Sequence, residues 1–188
     1  SMTCSVYEEA LDAIPTSWST QSQFSTSQPS CAINSGNEAF VLWGNGNIET
    51  SNYDVSTGCE NIKISFDIRA ENSTCSNLNY NTNFSERSHF KFYVEKSTDN
   101  GSNWTYVSSN IGIPYSSTYN SWNNESFTVD VSNISQIMFR IKVYTRRIGS
   151  TFNQSDYNEW YIDNIKIESS LGGSWTNSNN TTLNESSL

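Results

Sequence analysis

The chain alternates between apolar and polar positions in several clean runs. In NIKISFDIR (61–69), Ile62, Ile64, Phe66 and Ile68 share one side, and Lys63, Ser65, Asp67 and Arg69 the other. In HFKFYVEKS (89–97), Phe90, Phe92 and Val94 fall together. A period of two belongs to strands, because successive side chains leave opposite faces of the pleat. SFTVDVS (126–132) and IMFRIKVYT (137–145) predict two more strands, and EAFVLWG (38–44), an apolar run bounded by Gly, predicts a buried one. CSVYEEAL and IPTSWST offer shorter candidates near the start, and the chain re-enters a strand at Trp104. Turns are signalled by Asn45-Gly46 and Asn100-Gly101. About ten short strands with no sustained helical period predict an all-β, two-sheet antiparallel β-sandwich or jelly roll.

The closing strand, EWYIDNIKI (159–167), raises a chemical question. Strict alternation puts Trp160, Ile162, Asn164 and Lys166 on one face and Tyr161, Asp163, Ile165 and Ile167 on the other. Asp163 is then an acid among apolar neighbours, and must be paired, protonated or bound to a metal.

Between the strands lie polar segments at 21–36 and 71–88, and a loop at 114–122 that carries Tyr115, Tyr119 and Trp122. Core burial does not explain three rings in a polar loop, so they are candidates for stacking on a sugar or anchoring a protein. Folding back over a sandwich end is the alternative. Residues 171–188, LGGSWTNSNNTTLNESSL, read as a polar tail or linker after a sandwich domain spanning 1–170.

Composition narrows the partners. Apolar residues make up 35% of the 188, but aromatic residues reach 13%, enough for large rings to build a core. Ten Lys and Arg against nineteen Asp and Glu leave a net charge of −9, which disfavours nucleic acid. No apolar stretch approaches the about 18 residues of a membrane span, and no basic-then-apolar leader opens the chain. Because Ser1-Met2 is unlike a natural start, that missing leader does not argue for the cytosol.

Four cysteines, Cys4, Cys31, Cys59 and Cys75, include no C-x-x-C pair. Their even number in a Ser/Thr/Asn-rich acidic chain favours two disulfides and an oxidising compartment. Of the three pairings, Cys59–Cys75 is the least favoured, because a predicted strand holds the two apart. Asn-x-Ser/Thr sequons begin at Asn72, Asn83, Asn100, Asn103, Asn124, Asn133, Asn153, Asn179, Asn180 and Asn184. With 25 Asn and 51 Ser plus Thr, chance alone gives about seven. The sequons are compatible with a glycoprotein and add little else.

The succession of pieces resembles a superfamily of extracellular jelly rolls that includes the MAM (meprin-like) domain, the reelin subrepeat and the cleaved-adhesin or choice-of-anchor modules. VYEEALDAIPTSW resembles their opening "F-E…P-x-x-W", and SGNEAFVLWG their small-residue turn into the third strand. IETSNYDVS with IKISFDI resembles their paired strands, STDNGSNWTYV their "S-x-D-x-G-x-x-W" hairpin, and WYIDNIKI their closing "W-x-I-D-x-V-x-I". The likeness spans about residues 6–168. It departs at the loop 71–88, the tail and the cysteine arrangement.

The resemblance implies first and last strands side by side, bringing Glu8 and Glu9 toward Asp163. It also implies a structural calcium held by Glu8, Asn37 or Glu38, and Asp163, with carbonyls near Ser35. Calcium takes about six to eight hard oxygen ligands and satisfies buried carboxylates. The alternative is that Asp163 caps a turn or pairs with a cation such as Arg140.

The resemblance and the residues together predict a secreted or cell-surface recognition or adhesion module that binds a glycan or protein without catalysis. Two alternatives belong to other classes. One is a self-assembling subunit of an extracellular filament, with Trp175, Leu183 and Leu188 packing into a neighbour. The other is a carbohydrate-active enzyme built on paired carboxylates. A histidine-based site would rest on His89 alone.

Overall fold

The computed structural model describes residues 4–21, 24–26, 31, 33–34, 37–72, 75, 90–107, 119, 121–145, 158–171, 174–176 and 182–184. These form sixteen strands, no helix, and two main antiparallel sheets. The closing strand β14 (Asn158–Leu171) is the spine of the first sheet. One edge pairs with β9 (Asn61–Asn72), which pairs in turn with β12 (Asn123–Asp130). The other edge is shared in succession. Trp160–Ile162 meet β6 (Phe40–Leu42), and Ile165–Glu168 meet β1 (Tyr7–Ala10). Ser170 and Leu171 then meet β15 (Ser174–Thr176), which pairs onward with β16 (Thr182–Asn184). The first strand, β1, and the closing strand, β14, are neighbours, as the resemblance implied.

The second sheet runs β11 (Thr105–Tyr106), β10 (Phe90–Ser97), β13 (Gln136–Thr145), β7 (Asn47–Glu49), β2 (Ser19–Gln21). β8 (Tyr53–Asp54) pairs with the start of β13, β3 (Phe24–Ser25) with β6, and β4 (Ile33–Asn34) with β5 (Asn37–Glu38) as a separate hairpin.

The alternation read from the sequence becomes the core. Ile62, Ile64, Phe66 and Ile68 of β9 meet Phe92 and Val94 of β10 and Ile141 and Val143 of β13, all buried between the sheets. Phe92, Trp160 and Tyr119 pack edge to face at 5.1–5.5 Å. Fully burying one such large side chain contributes about 1.5–3 kcal/mol.

The cysteines pair Cys4–Cys59 and Cys31–Cys75, with Cα atoms 4.9 and 5.6 Å apart. β9 lies between Cys59 and Cys75, the least favoured pair.

Alternation fails at one place in β14. Trp160, Ile162, Ile165 and Ile167 all face the core, while Tyr161 and Asp163 before the irregularity and Lys166 after it face outward. Asp163 is opposite Asp67 and Lys166 opposite Ser65, so β14 spends one residue more than its partner. That is a bulge, and Asn164 within it adopts φ 51°. Asn tolerates this left-handed conformation better than a β-branched residue. The predicted grouping of Asp163 with Ile165 and Ile167 is therefore corrected, because the bulge reverses the phase.

The segment expected to be a tail also begins differently. Residue 171 completes β14, and β15 folds back along it. Trp175 is buried, and the Lys63 ammonium lies 4.4 Å from its ring centroid. The same ammonium is 3.3 Å from Glu168. Trp175 is thus covered by its own domain. The side chain of Leu183 and all of Leu188 lie outside the described residues.

Candidate functional site

The bulge builds the site. Register aligns Asn124 of β12 with Asp67 of β9, and Asp67 with Asp163 of β14, in one row on the outer face of the first sheet. Asn164 enters the row from the bulge, and Asn34 arrives from the β4–β5 hairpin. Asp67 is held by three amides: Oδ2 accepts from Asn34 at 3.0 Å and Asn164 at 2.9 Å, and Oδ1 accepts from Asn124 at 3.1 Å.

Asp163 is not. It is 0% exposed, and neither carboxylate oxygen accepts a hydrogen bond of normal geometry among the described residues. Burial pushes its carboxyl up to about 6, and the negative charges of Asp67 and Asp12 add to the rise. The Asn164 backbone N–H and the Asn34 amide act the other way without cancelling it. At pH 7.5 a group with that value is still more than about nine-tenths ionised.

Few partners remain for the Asp163 charge. Arg140 belongs to the other sheet, where it bonds Glu95 at 3.0 Å and Glu49 at 3.4 Å. No ion pair to Asp163 occurs among the described residues. Protonation does not neutralise it at neutral pH. A buried carboxylate with no hydrogen bond of normal geometry, beside a second carboxylate, is a pair of hard oxygen donors suited to a hard cation, while the three amides turn N–H groups toward Asp67. Only two of these residues are acids, and no cluster of three His, Cys, Asp or Glu occurs among the described residues.

The predicted ligand set is brought together only in part. Asn37 is opposite Asn34 and Glu38 opposite Ile33 in the hairpin, which places their backbone beside the site. Their side chains, like Ser35, lie outside the described residues. Glu8 goes elsewhere. It is opposite Ile167, so it faces inward with the core, across the sheet from Asp163. Its Oε1 accepts from the Trp18 indole at 2.5 Å, Tyr53 at 2.6 Å and Ser51 at 3.0 Å. Burial and this acceptor push the Tyr53 hydroxyl far above its ordinary pKa. Asp67, Asn34, Asn124 and Asn164 were missed in the sequence, because only cross-strand register joins them.

Beside the row, Tyr161 packs with Ala39 and Val41, and half-buried Trp43 and Trp122 cover them. Tyr161 donates to Glu159 at 3.1 Å, and burial raises the Glu159 carboxyl. The indole N–H of Trp122 is buried without a partner among the described residues. Tyr119 follows the alternative of folding back over the sandwich: it is buried in the core, with its hydroxyl donating to Glu125 at 2.9 Å. Tyr115 and His89 lie outside the described residues. Of the sequon asparagines, Asn100, Asn103, Asn124 and Asn133 are exposed. Asn72 and Asn184 lie on strands, and Asn83, Asn153, Asn179 and Asn180 fall outside the described residues.

The fold has known counterparts. The K1 cleaved adhesin domain of Lys-gingipain from Porphyromonas gingivalis superimposes with a TM-score of 0.55 at 13% identity, covering 89% of this chain and 99% of that one. The K3 domain of the same protein gives a TM-score of 0.49 at 12% identity, over 82% and 92%. The CBM22-1 xylan-binding domain of Xyn10C from Paenibacillus barcinonensis gives 0.45 at 7%, over 82% and 86%. Among curated proteins none matches the sequence. Residues 25–168 match the family model of Reelin subrepeat B, and the chain belongs to that family.

Proposed function

We propose that the protein is a non-catalytic extracellular recognition module that binds a glycan or a protein, with a structural calcium bracing one face. The observation that carries this reading is the match of residues 25–168 to the Reelin subrepeat B family. The shared fold with a cleaved adhesin domain supports it. Two disulfides fit a secreted or cell-surface location. No helix among the described residues is long and apolar enough to cross a membrane.

The cation would be held by Asp163 and Asp67, with Asn34 and Asn164 beside them and the hairpin of Asn37 and Glu38 adjacent. It would supply charge neutralisation and no chemistry. Its effect is to tie the hairpin, β9 and the bulge of β14 into one rigid unit, which preorganises the loops around it for binding. Glu8 takes no part, since it faces the core on the other side of the sheet from Asp163.

The test is binding of the purified chain to arrayed extracellular glycans and matrix proteins, in calcium and in chelator, with the captured ligand recovered for analysis. Saturable binding with an intact ligand is expected. Turnover of a polysaccharide, abolished by changing a single carboxylate, would replace this reading with an enzyme. Filaments in electron micrographs of the full chain would make a self-assembling subunit the primary reading.

A further inference from the structure

The outer face of the second sheet carries three cations, Lys91, Arg140 and Lys142, and two carboxylates, Glu49 and Glu95. Alternation along β10 and β13 turns Lys91, Tyr93 and Glu95 outward, opposite Tyr144, Lys142 and Arg140. Arg140 is already committed: Glu95 and Glu49 neutralise it, and it stacks 4.1 Å from the centroid of Trp104. Lys91 and Lys142 differ. Their ammonium groups lie 5.8 and 5.9 Å from the centroid of one ring, Tyr93, and neither has a carboxylate partner among the described residues. Tyr106, 64% exposed, meets Tyr93 edge-on at 5.4 Å.

In a chain of net charge −9, two cations without a carboxylate partner converging on one aromatic ring form a seat for an anion. The exposed Tyr106 ring beside it offers an apolar face on which a pyranose stacks. The surroundings select the kind of partner. The outward positions of β10, β13, β7 and β2 carry no Leu, Ile or Val, so the face offers charge and aromatic rings rather than an aliphatic patch. An open sheet also suits an extended chain better than an enclosed small molecule.

We propose that this face binds a linear polysaccharide bearing carboxylate groups, with a uronate on Lys91 and Lys142 and a sugar ring against Tyr93 and Tyr106. The proposal rests on the recognition-module reading and names its surface and ligand class.

The experiment is calorimetric titration of the full chain with polygalacturonate and alginate, their carboxyl-reduced neutral counterparts, dextran sulfate and polyglutamate. Binding to the two uronate polymers is expected, and it should weaken markedly when NaCl is raised from about 0.05 to about 0.5 M. The Lys91→Gln/Lys142→Gln double variant should lose at least about tenfold in affinity with an unchanged melting temperature. Tyr106→Ala, at an exposed position, should lose several-fold. Equal binding of the carboxyl-reduced polymers, undiminished binding by the double variant, or equal binding of polyglutamate or dextran sulfate would overturn the proposal. So would failure of the wild type to bind either uronate polymer. A different ligand captured on the arrays, with the same affinity for wild type and double variant, sinks this face alone. No ligand on any array sinks the module reading with it.

Discussion

Replacing Asp163 by Asn should stabilise the calcium-free protein. The folded state raises this carboxyl from 3.8 to about 6, equivalent to about 2–3 kcal/mol after allowance for screening. The sign follows from linkage. The folded protein holds the proton more tightly than the unfolded chain, so stability falls as pH rises from 3.8 through about 6 and stays low above it. Removing the charge recovers that loss, and the buried amide left in its place returns about 1 kcal/mol. The net gain at pH 7.5 is about 1–2 kcal/mol, or about 2–8 °C in melting temperature for a chain of this size. Calcium at about 100 times its dissociation constant should raise the wild type by about 2.7 kcal/mol, roughly 5–10 °C, and leave the variant unmoved. Differential scanning calorimetry of both proteins, in chelator and in millimolar calcium, reads all four states. A variant that melts well below the wild type in chelator would refute the reasoning, as would calcium shifting both proteins equally. Asp163 would then be a structural hydrogen-bond acceptor.

Other perturbations test other links. Breaking Cys31–Cys75 by paired Ala substitution should cost about 4 kcal/mol for a loop of 44 residues, read as a lower urea midpoint with a steeper slope, because the unfolded chain is no longer cross-linked. Trp175→Ala should cost about 3–5 kcal/mol in the same assay, whereas a detached tail would make it neutral. Deleting 171–188 should destabilise the monomer for the same reason, and a deletion that abolished filaments without destabilising it would favour the self-assembling alternative. Asn164→Gly should be tolerated by the backbone, while Asn164→Ala, forced to φ 51°, should cost about 1–2 kcal/mol more in thermal melts.

The strands of the core were legible in the sequence because each has one wet and one dry face. Ile62 to Ile68 and Phe90 to Val94 have no other way to divide. The closing strand was legible as a strand but not in its phase. A bulge adds one residue to one side of a pair, and nothing in the alternation of WYIDNIKI announces it. That single residue moved Asp163 to the outer face and separated it from Glu8. Asp163 could be singled out as chemically anomalous from its neighbours alone. Asp67, Asn34 and Asn124 could not, because residues far apart in the chain meet only through register. Composition misled at Trp175, where polar neighbours hid a strand that packs on its own domain, and it left two readings open at Tyr119, whose ring fills the core.

Whether this protein recognises a ligand or transforms one is tested most directly by mass balance on a captured partner. The purified chain, saturated with the glycan or protein that it retains from an extracellular array, is incubated to equilibrium, and the ligand is recovered and weighed by mass spectrometry. A recognition module returns the ligand at its original mass, in stoichiometric proportion to the protein. A ligand that comes back shortened, by many turnovers per protein, would contradict the account.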